Sequence, residues 1–190
     1  MNKKITKDEV NEFPLGSFEG DVEVIEDVDA AIKAIDALKR ETIIGIDTET
    51  KPAFQKGEYH DPSLVQLSGG DKAYLFRIKK TGLLPGILEL LSDPKIMKVG
   101  LALPRDIKEL QEMHYFEPAN MVDLNIYCPK IGFESIGVRN LAALVLGFRI
   151  SKRYRISNWE TEILSMGQIR YAATDAWVCR EIYLKLQEEL

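Results

Sequence analysis

Two carboxylates at the end of one predicted strand, Asp47 and Glu49, have types and spacing that could do chemistry. They follow the apolar and β-branched run 42–46, which is typical of a buried strand. Because side chains alternate faces in a strand, both acids point to one face, about 7 Å apart. They repel each other unless a cation lies between them, which indicates a divalent metal site. A lone Asp-x-Glu motif is more often the polar end of a strand, so the interpretation depends on further acids.

A third acid, Asp106, lies near the start of a helix predicted from Pro104. At 100° per residue it falls between Leu103 and Leu110, on the apolar face of that helix. Burying an unpaired carboxylate is costly, and the exposed amides of a helix start offset only part of that cost. Asp106 is therefore a candidate metal ligand, with an ordinary helix-start acid as the alternative.

The fourth acid lies on the last predicted helix, where Tyr171 and Asp175 are four residues apart and share one face. Val178 and Ile182 continue that face, so it is expected to point at the sheet. A buried hydrogen bond between the tyrosine and the aspartate is the structural alternative. That alternative does not explain why three other inward acids occur on separate elements.

The elements that must position these residues follow a mixed pattern. An edge strand (21–25) and a helix (30–38) precede the strand of Asp47, and a tight hairpin around Gly69 and Gly70 follows it. Short strands then alternate with helices, and Ser165 with Gln168 forms a capping box before the last helix. This order predicts an α/β fold with a mixed central sheet, an antiparallel hairpin and flanking helices. We expect a flexible N-terminal arm over residues 1–20 and one domain over residues 21–190.

Composition restricts the classes of function. The net charge of −5 is only a weak argument against a nucleic-acid partner, because four ligand carboxylates would account for most of it. Two histidines, and two cysteines without zinc or redox spacing, exclude a histidine-rich site and favour a reducing cytoplasm. No apolar run approaches the roughly 18 residues of a membrane helix, and residues 1–10 lack the apolar core of a secretory signal.

A cationic loop precedes the last helix and is a candidate substrate contact. Four cations occur within residues 149–155, with no acid among them. Cations for phosphates beside an aromatic ring for stacking are typical of a single-strand channel. The alternative is a solvated loop beside a core tryptophan. The polar loop 50–62 is likewise either a substrate contact or a plain surface loop. The candidate substrate-binding residues of the cationic region are Lys152, Arg153, Arg155, Asn158 and Trp159.

Together these motifs resemble the DEDD superfamily of 3′–5′ exonucleases, in the tyrosine branch that contains ribonuclease D and the Werner-syndrome exonuclease domain. The resemblance covers about residues 21–190. The histidine branch would place a histidine five residues before Asp175, where this chain has Arg170. The matching motifs are Gly45–Glu49, Leu64–Ser68, Gly100 six residues before Asp106, Ser157–Trp159 and Tyr171–Ala176.

The resemblance implies a ribonuclease-H-like fold and two Mg²⁺ or Mn²⁺ ions about 4 Å apart. Asp47 would bridge the ions, Glu49 and Asp175 would complete the first site, and Asp106 would hold the second ion through water. Tyr171 would orient the attacking water, and Thr48 would contact the substrate.

The implied substrate is the 3′ end of a single-stranded or frayed DNA or RNA, and the product is a nucleoside 5′-monophosphate. No motif distinguishes DNA from RNA, because that choice depends on contacts to a 2′-hydroxyl. The stretch after Trp159 lacks a proline that close relatives often carry before Leu164, which puts the path of the loop in doubt. A binding module that keeps the fold without turnover is the alternative function.

Overall fold

The computed structural model describes residues 3–189, and residues 1, 2 and 190 lie outside that description. Within this range no helix is long and apolar enough to cross a membrane. The strands are β1 Asp21–Ile25, β2 Ile43–Thr50, β3 Pro62–Ser68, β4 Lys72–Phe76, β5 Met97–Gly100 and β6 Met121–Asp123. The helices are α1 Lys7–Glu12, α2 Val28–Leu38, α3 Ile78–Thr81, α4 Pro85–Ser92, α5 Leu103–Met113, α6 Leu124–Lys130, α7 Val138–Leu141, which continues as a π-helical turn over Ala142–Leu146, and α8 Met166–Glu188.

The described strands form one sheet in the order β1-β4-β3-β2-β5-β6. Strand β3 is antiparallel to both β2 and β4, whereas β1 pairs with β4, β5 with β2 and β6 with β5 in parallel. The predicted mixed sheet, its antiparallel hairpin and the edge position of β1 are confirmed. Strand β2 is central and carries the first two acids.

The two faces of the sheet are covered by different helices, because side chains alternate along each strand. Ile44 and Ile46 of β2 belong to a core cluster with residues of α2, α4 and α5. The opposite face carries Gly45, Asp47 and Glu49 and is covered by α8. Helix α8 therefore packs on the acid-bearing face of the central strand.

Side-chain caps in the sequence position several helix starts. Asp27 caps α2 by accepting from the Ala30 amide at 2.8 Å, and Asp123 caps α6. The capping box predicted at Ser165 is confirmed, with the Gln168 amide donating to the Ser165 hydroxyl at 3.2 Å. The helix that begins at Val138 is α-helical only to Leu141 and then widens into a π-helical turn.

The N-terminal segment forms a short helix and packs against the domain, while the flexibility expected of residues 1–20 stays a prediction. Thr6 and Glu9 form a capping box for α1, and Val10 and Phe18 are buried. The Gly16 amide donates to the Arg149 carbonyl at 2.9 Å. A helix as short as α1 is not stable by itself, so tertiary contacts decide that this segment is helical. The Thr-x-x-Glu signal was present in the sequence.

Candidate active site

Three carboxylates from two elements converge at the centre of the sheet. Asp47 and Glu49 project from β2 and Asp175 from α8, and one oxygen atom of each lies within 4.8 Å of the others. Glu49 and Asp175 are 9% and 8% exposed, and Asp47 is partly buried. The shared face predicted for the two strand acids is confirmed. The group thus brings three carboxyl groups together with little solvent around them.

A close contact between helix and strand brings Asp175 to this position. A Cβ atom on Gly45 would lie 1.9 Å from the Ala176 carbonyl oxygen, so only glycine permits the observed approach. Ala172, Ala173 and Ala176 are all fully buried. Small residues on both surfaces let α8 lie directly on β2 beside the acids.

Asp106 approaches from α5, on the other face of the sheet, and lies outside the three-carboxylate group. Its carboxylate accepts a hydrogen bond from the Thr48 hydroxyl, and Thr48 points away from Asp47 and Glu49, as predicted. Gly100 lies against the backbone of β2, since an added Cβ would be 2.7 Å from the Ile46 carbonyl oxygen. The structure thus places Thr48 beside a candidate ligand, and its contact with substrate stays a prediction.

The four carboxyl groups are held in an environment that disfavours their charge. Burial, followed by the charges of Asp175 and Glu49, raises the pKa of Asp47 well above its usual range. Burial raises the pKa of Glu49 to about 9, with Asp175 and Asp106 adding to the effect. Burial also raises the pKa of Asp106 to about 7 and that of Asp175 to about 7. Negative charge at this site is therefore uncompensated within the protein itself.

The composition of this group fits a divalent cation. All of its donors are carboxylate oxygens, which are the ligands preferred by hard cations such as Mg²⁺. A cation would stabilise the charged form of these carboxyl groups, which their burial disfavours. The structure thus supports a metal site at Asp47, Glu49 and Asp175, with Asp106 beside it.

Tyr171 lies next to this group and is held by two aromatic neighbours. Its hydroxyl is hydrogen-bonded to the Asp175 carboxylate, and burial followed by the charge of Asp175 raises the pKa of the phenol. The Trp159 ring lies 6.0 Å from the Tyr171 ring, and the Tyr154 ring lies 6.3 Å from it, centroid to centroid. Tyr171 is therefore protonated at neutral pH and is suited to donate a hydrogen bond rather than to act as a base.

The cationic loop lies at the entrance to the acids. Lys152 and Arg155 line a cavity of about 310 Å³ that also reaches Tyr171 and Asp175. The Arg153 guanidinium lies over the Tyr154 ring, 5.6 Å from its centroid. The structure therefore brings Lys152 and Arg155 to the site, whereas Arg153 is held against a neighbouring ring.

One predicted substrate contact, the ring of Trp159, is corrected by the structure. Trp159 is 1% exposed and packs in the core behind Tyr171, so its ring offers no free face for a base. The core alternative considered for this residue is the one observed. The side-chain oxygen of the exposed Asn158 accepts from the Glu160 amide at 3.0 Å, and its contact with substrate stays a prediction.

Arg139 and Tyr154 are residues of the site that sequence reasoning missed. Arg139 lines the same cavity as Lys152 and Arg155 but comes from α7, and only the fold brings it there. Tyr154 lies among the cations of the loop, and the sequence could have identified it, because an aromatic ring between cations is typical of a nucleic-acid contact. Its position against α8 depends on Gly167, where a Cβ would be 2.0 Å from the Tyr154 hydroxyl oxygen.

A mixed sheet with this acidic group at its central strand defines the class of the protein as a nuclease domain of the ribonuclease-H-like type. A family model described as 3′–5′ exonuclease matches residues 22–190. The chain belongs to this family, whose members are phosphodiester hydrolases.

Similar proteins agree with that family. Ribonuclease D of Gluconacetobacter diazotrophicus is 32% identical over 158 residues, covering 82% of this chain and 40% of that protein. This chain thus spans about two fifths of the length of that curated relative. The Nibbler exonuclease domain of Aedes aegypti superposes with a TM-score of 0.83 at 25% identity, covering 92% of each chain. Ribonuclease D of Escherichia coli shares the fold, with a TM-score of 0.80 at 24% identity over 89% of this chain and 45% of that one.

Proposed function

We propose that this protein is a metal-dependent 3′–5′ exonuclease of the tyrosine branch of the DEDD superfamily. Its products would be nucleoside 5′-monophosphates released from a nucleic-acid 3′ end. One observation carries the proposal: three largely buried carboxylates, each with an oxygen atom within 4.8 Å of the others, lie beside a fourth acid and a protonated tyrosine hydroxyl. The membership of the chain in the exonuclease family supports it.

The carboxylates would hold two Mg²⁺ or Mn²⁺ ions. Asp47, Glu49 and Asp175 would bind the first ion, and Asp47 with Asp106 would hold the second. When bound, such ions lower the pKa of a water molecule and neutralise charge that develops on the phosphate. The hydrogen bond from Thr48 fixes the orientation of Asp106.

Tyr171 would orient the attacking water. Its hydroxyl keeps its proton at neutral pH and is held by Asp175 in front of the packed rings of Trp159 and Tyr154. A hydroxyl fixed in this way positions a neighbouring water through a hydrogen bond without accepting its proton. Lys152, Arg155 and Arg139 would bind phosphates of the strand.

The substrate would be a single-stranded or frayed 3′ end. The relatives include proteins named for RNA and for DNA, namely ribonuclease D and DNA polymerase I. One ribonuclease D structure of the same fold was solved with RNA. DNA and RNA are therefore compared in one assay. A cytoplasmic location stays a prediction, supported by the free, buried cysteines Cys128 and Cys179.

The test uses matched 5′-labelled DNA and RNA oligonucleotides with Mg²⁺, Mn²⁺ or a chelator, resolved by product length. We expect a metal-dependent ladder that shortens from the 3′ end, and the polymer degraded faster identifies the substrate class. Asp47→Asn is expected to lower the rate by at least about 10³-fold, because it removes a charge that holds metal. Asp36→Asn, on the exposed side of α2, is the matched control and is expected to cleave like the wild type.

Two results would contradict the proposal. Cleavage by Asp47→Asn at the wild-type rate would exclude the metal mechanism. Tight oligonucleotide binding without any shortening in Mg²⁺ or Mn²⁺ would favour the binding module instead.

A further inference from the structure

The turn between β5 and α5, which leads into Asp106, has no capping signal of its own. Ala102 occupies the N-cap position of α5, where alanine is one of the less favourable residues, and its side chain makes no capping hydrogen bond. Its backbone is also left-handed, with φ 60° and ψ 30°. A residue other than glycine carries a conformational cost in this region, which the surrounding structure has to offset. A contact from outside the turn is therefore needed to hold this start of α5.

Asp123, at the end of the edge strand β6, makes that contact. Its side-chain oxygen Oδ1 accepts from the Ala102 amide at 3.0 Å and from the Asn125 amide at 2.8 Å. Asp123 also pairs in register with Gly100 of β5, two residues before Ala102. Hydrogen bonds from backbone amides to a carboxylate are stronger than those between neutral groups. One oxygen atom thus joins the start of α5 to the start of α6.

The turn held by Asp123 determines the direction in which the Asp106 carboxylate points. Asp106 follows Ala102 by four residues and lies in the first turn of α5. The Arg105 amide donates to the Ala102 carbonyl at 3.3 Å, so the helical hydrogen bonds begin at the left-handed residue. A change in the Ala102 dihedral angles would therefore rotate the first residues of α5, and Asp106 would move relative to Thr48 of β2.

Resting on the proposed exonuclease function, we propose that Asp123 is a positioning residue that directs Asp106 toward its metal ion by holding Ala102 in the left-handed conformation. Among the described residues, Asp123 lies outside the group of three converging carboxylates, and it accepts from backbone amides. Its role therefore depends on an oxygen acceptor and not on a bond to metal. The alternative is that Leu103 and Ile107, which pack in the core, hold α5 by themselves. Asp123 would then contribute only to stability.

The test compares Asp123→Ala with Asp123→Asn in the full chain. The alanine removes the acceptor. We expect kcat to fall about 10- to 100-fold and the affinity for one of the two Mn²⁺ ions, measured by titration calorimetry, to fall about tenfold or more. The asparagine keeps a side-chain oxygen that can accept both hydrogen bonds. Its kcat and Mn²⁺ affinity are therefore expected to stay within about threefold of the wild type.

A second substitution, Ala102→Gly in the Asp123→Ala background, tests the route through the turn. Glycine adopts the left-handed conformation without the steric cost that alanine carries. We expect the double variant to recover kcat and Mn²⁺ affinity by about three- to tenfold relative to Asp123→Ala. Because it removes strain, the glycine also keeps the test possible if Asp123→Ala does not fold.

Asp27→Ala is the matched control for the loss of a helix cap. Asp27 accepts from the Ala30 amide at 2.8 Å at the start of α2, a helix that carries no residue of the site. We expect this variant to lower Tm by about 2–4 °C. Its kcat and Mn²⁺ affinity are expected to match those of the wild type.

The outcomes separate this inference from the proposed function. If Asp123→Ala lowers Tm like Asp27→Ala but keeps wild-type kcat and Mn²⁺ affinity, the inference is overturned while the exonuclease function stands. Equal losses in Asp123→Asn and Asp123→Ala would also overturn it and would assign the role to the charge of Asp123. A double variant no better than Asp123→Ala would exclude the left-handed turn as the route. No cleavage by the wild type would contradict the exonuclease function itself, and Mn²⁺ calorimetry of the same variants would still test the positioning of Asp106.

Discussion

At the scale of single residues, the site depends on groups whose protonation differs from that in water. Burial raises the pKa of Glu49 to about 9 and that of Asp175 to about 7. The ionised form of the cluster is therefore stable only when a cation or protons neutralise it. Tyr171 differs from the acids, because its proposed role needs the neutral hydroxyl, which can donate a hydrogen bond. Its hydroxyl donates to Asp175 and its ring is packed between Trp159 and Tyr154.

Removing that hydroxyl gives a prediction at this scale. Tyr171→Phe is expected to lower kcat by about 10²-fold, because the attacking water loses its orientation. The Asp175 carboxylate remains, so metal affinity measured by titration calorimetry is expected to stay within about threefold of the wild type. Tyr183→Phe, farther along the same helix, is the control.

A loss of metal binding equal to the loss of activity would contradict this role. In that case Tyr171 would act by holding Asp175 in place. An unchanged kcat would exclude both roles.

At the scale of elements, the approach of α8 to β2 places the acids. Gly45 meets the Ala176 carbonyl directly, one residue from Asp175. The central strand therefore has a glycine where the helix crosses it, and the carboxylates of Asp47 and Glu49 follow directly along the same face. The spacing of Gly45 and Asp47 on one face is a consequence of strand alternation.

Gly45→Ala tests this contact. Its new Cβ would lie 1.9 Å from a backbone oxygen, which a side-chain rotation cannot relieve. We expect a destabilisation of about 1–3 kcal/mol, measured by denaturant unfolding. The displaced Asp175 should also reduce kcat by about 10²-fold at saturating metal.

Gly70→Ala is the matched control. Its added Cβ would make only ordinary contacts, 3.5 Å from the Arg180 guanidinium at the nearest. Wild-type stability and activity are expected for this variant. Equal effects of the two substitutions would show that the Gly45 contact does not position the site.

At the scale of the whole molecule, the acid cluster couples metal, pH and stability. The raised carboxyl pKa values mean that the native state binds more protons than the unfolded chain between about pH 4 and the raised values. The free energy of unfolding of the metal-free protein therefore falls as pH rises through this range. A bound cation removes this loss of stability, because it compensates the negative charge of the ionised carboxylates.

We accordingly expect Mn²⁺ to raise Tm more at about pH 8 than at about pH 5, relative to chelator, by several degrees. Scanning calorimetry with and without metal isolates the site, because groups elsewhere titrate equally in both samples. In Asp47→Asn the metal-free protein should melt no lower than the wild type at about pH 8, and the rise with Mn²⁺ should shrink. An equal rise at both pH values would contradict the linkage.

The sequence alone determined the chemistry-bearing residues and most of the elements. Strand alternation was sufficient to place Asp47 and Glu49 on one face and Thr48 on the other, and the capping box at Ser165 was sufficient to locate the start of the last helix. These are local rules, so they hold before the chain folds. The mixed sheet also followed from the order of elements.

Tertiary structure decided the features that depend on distant contacts. It buried Trp159 behind Tyr171, packed the N-terminal segment against the domain, and brought Arg139 to the cationic loop. Exposure of a tryptophan or order in a short helix depends on which surfaces meet, and neither is encoded in local periodicity. The acids could be identified from the sequence, but the surrounding walls of the site depend on how α8 packs on β2.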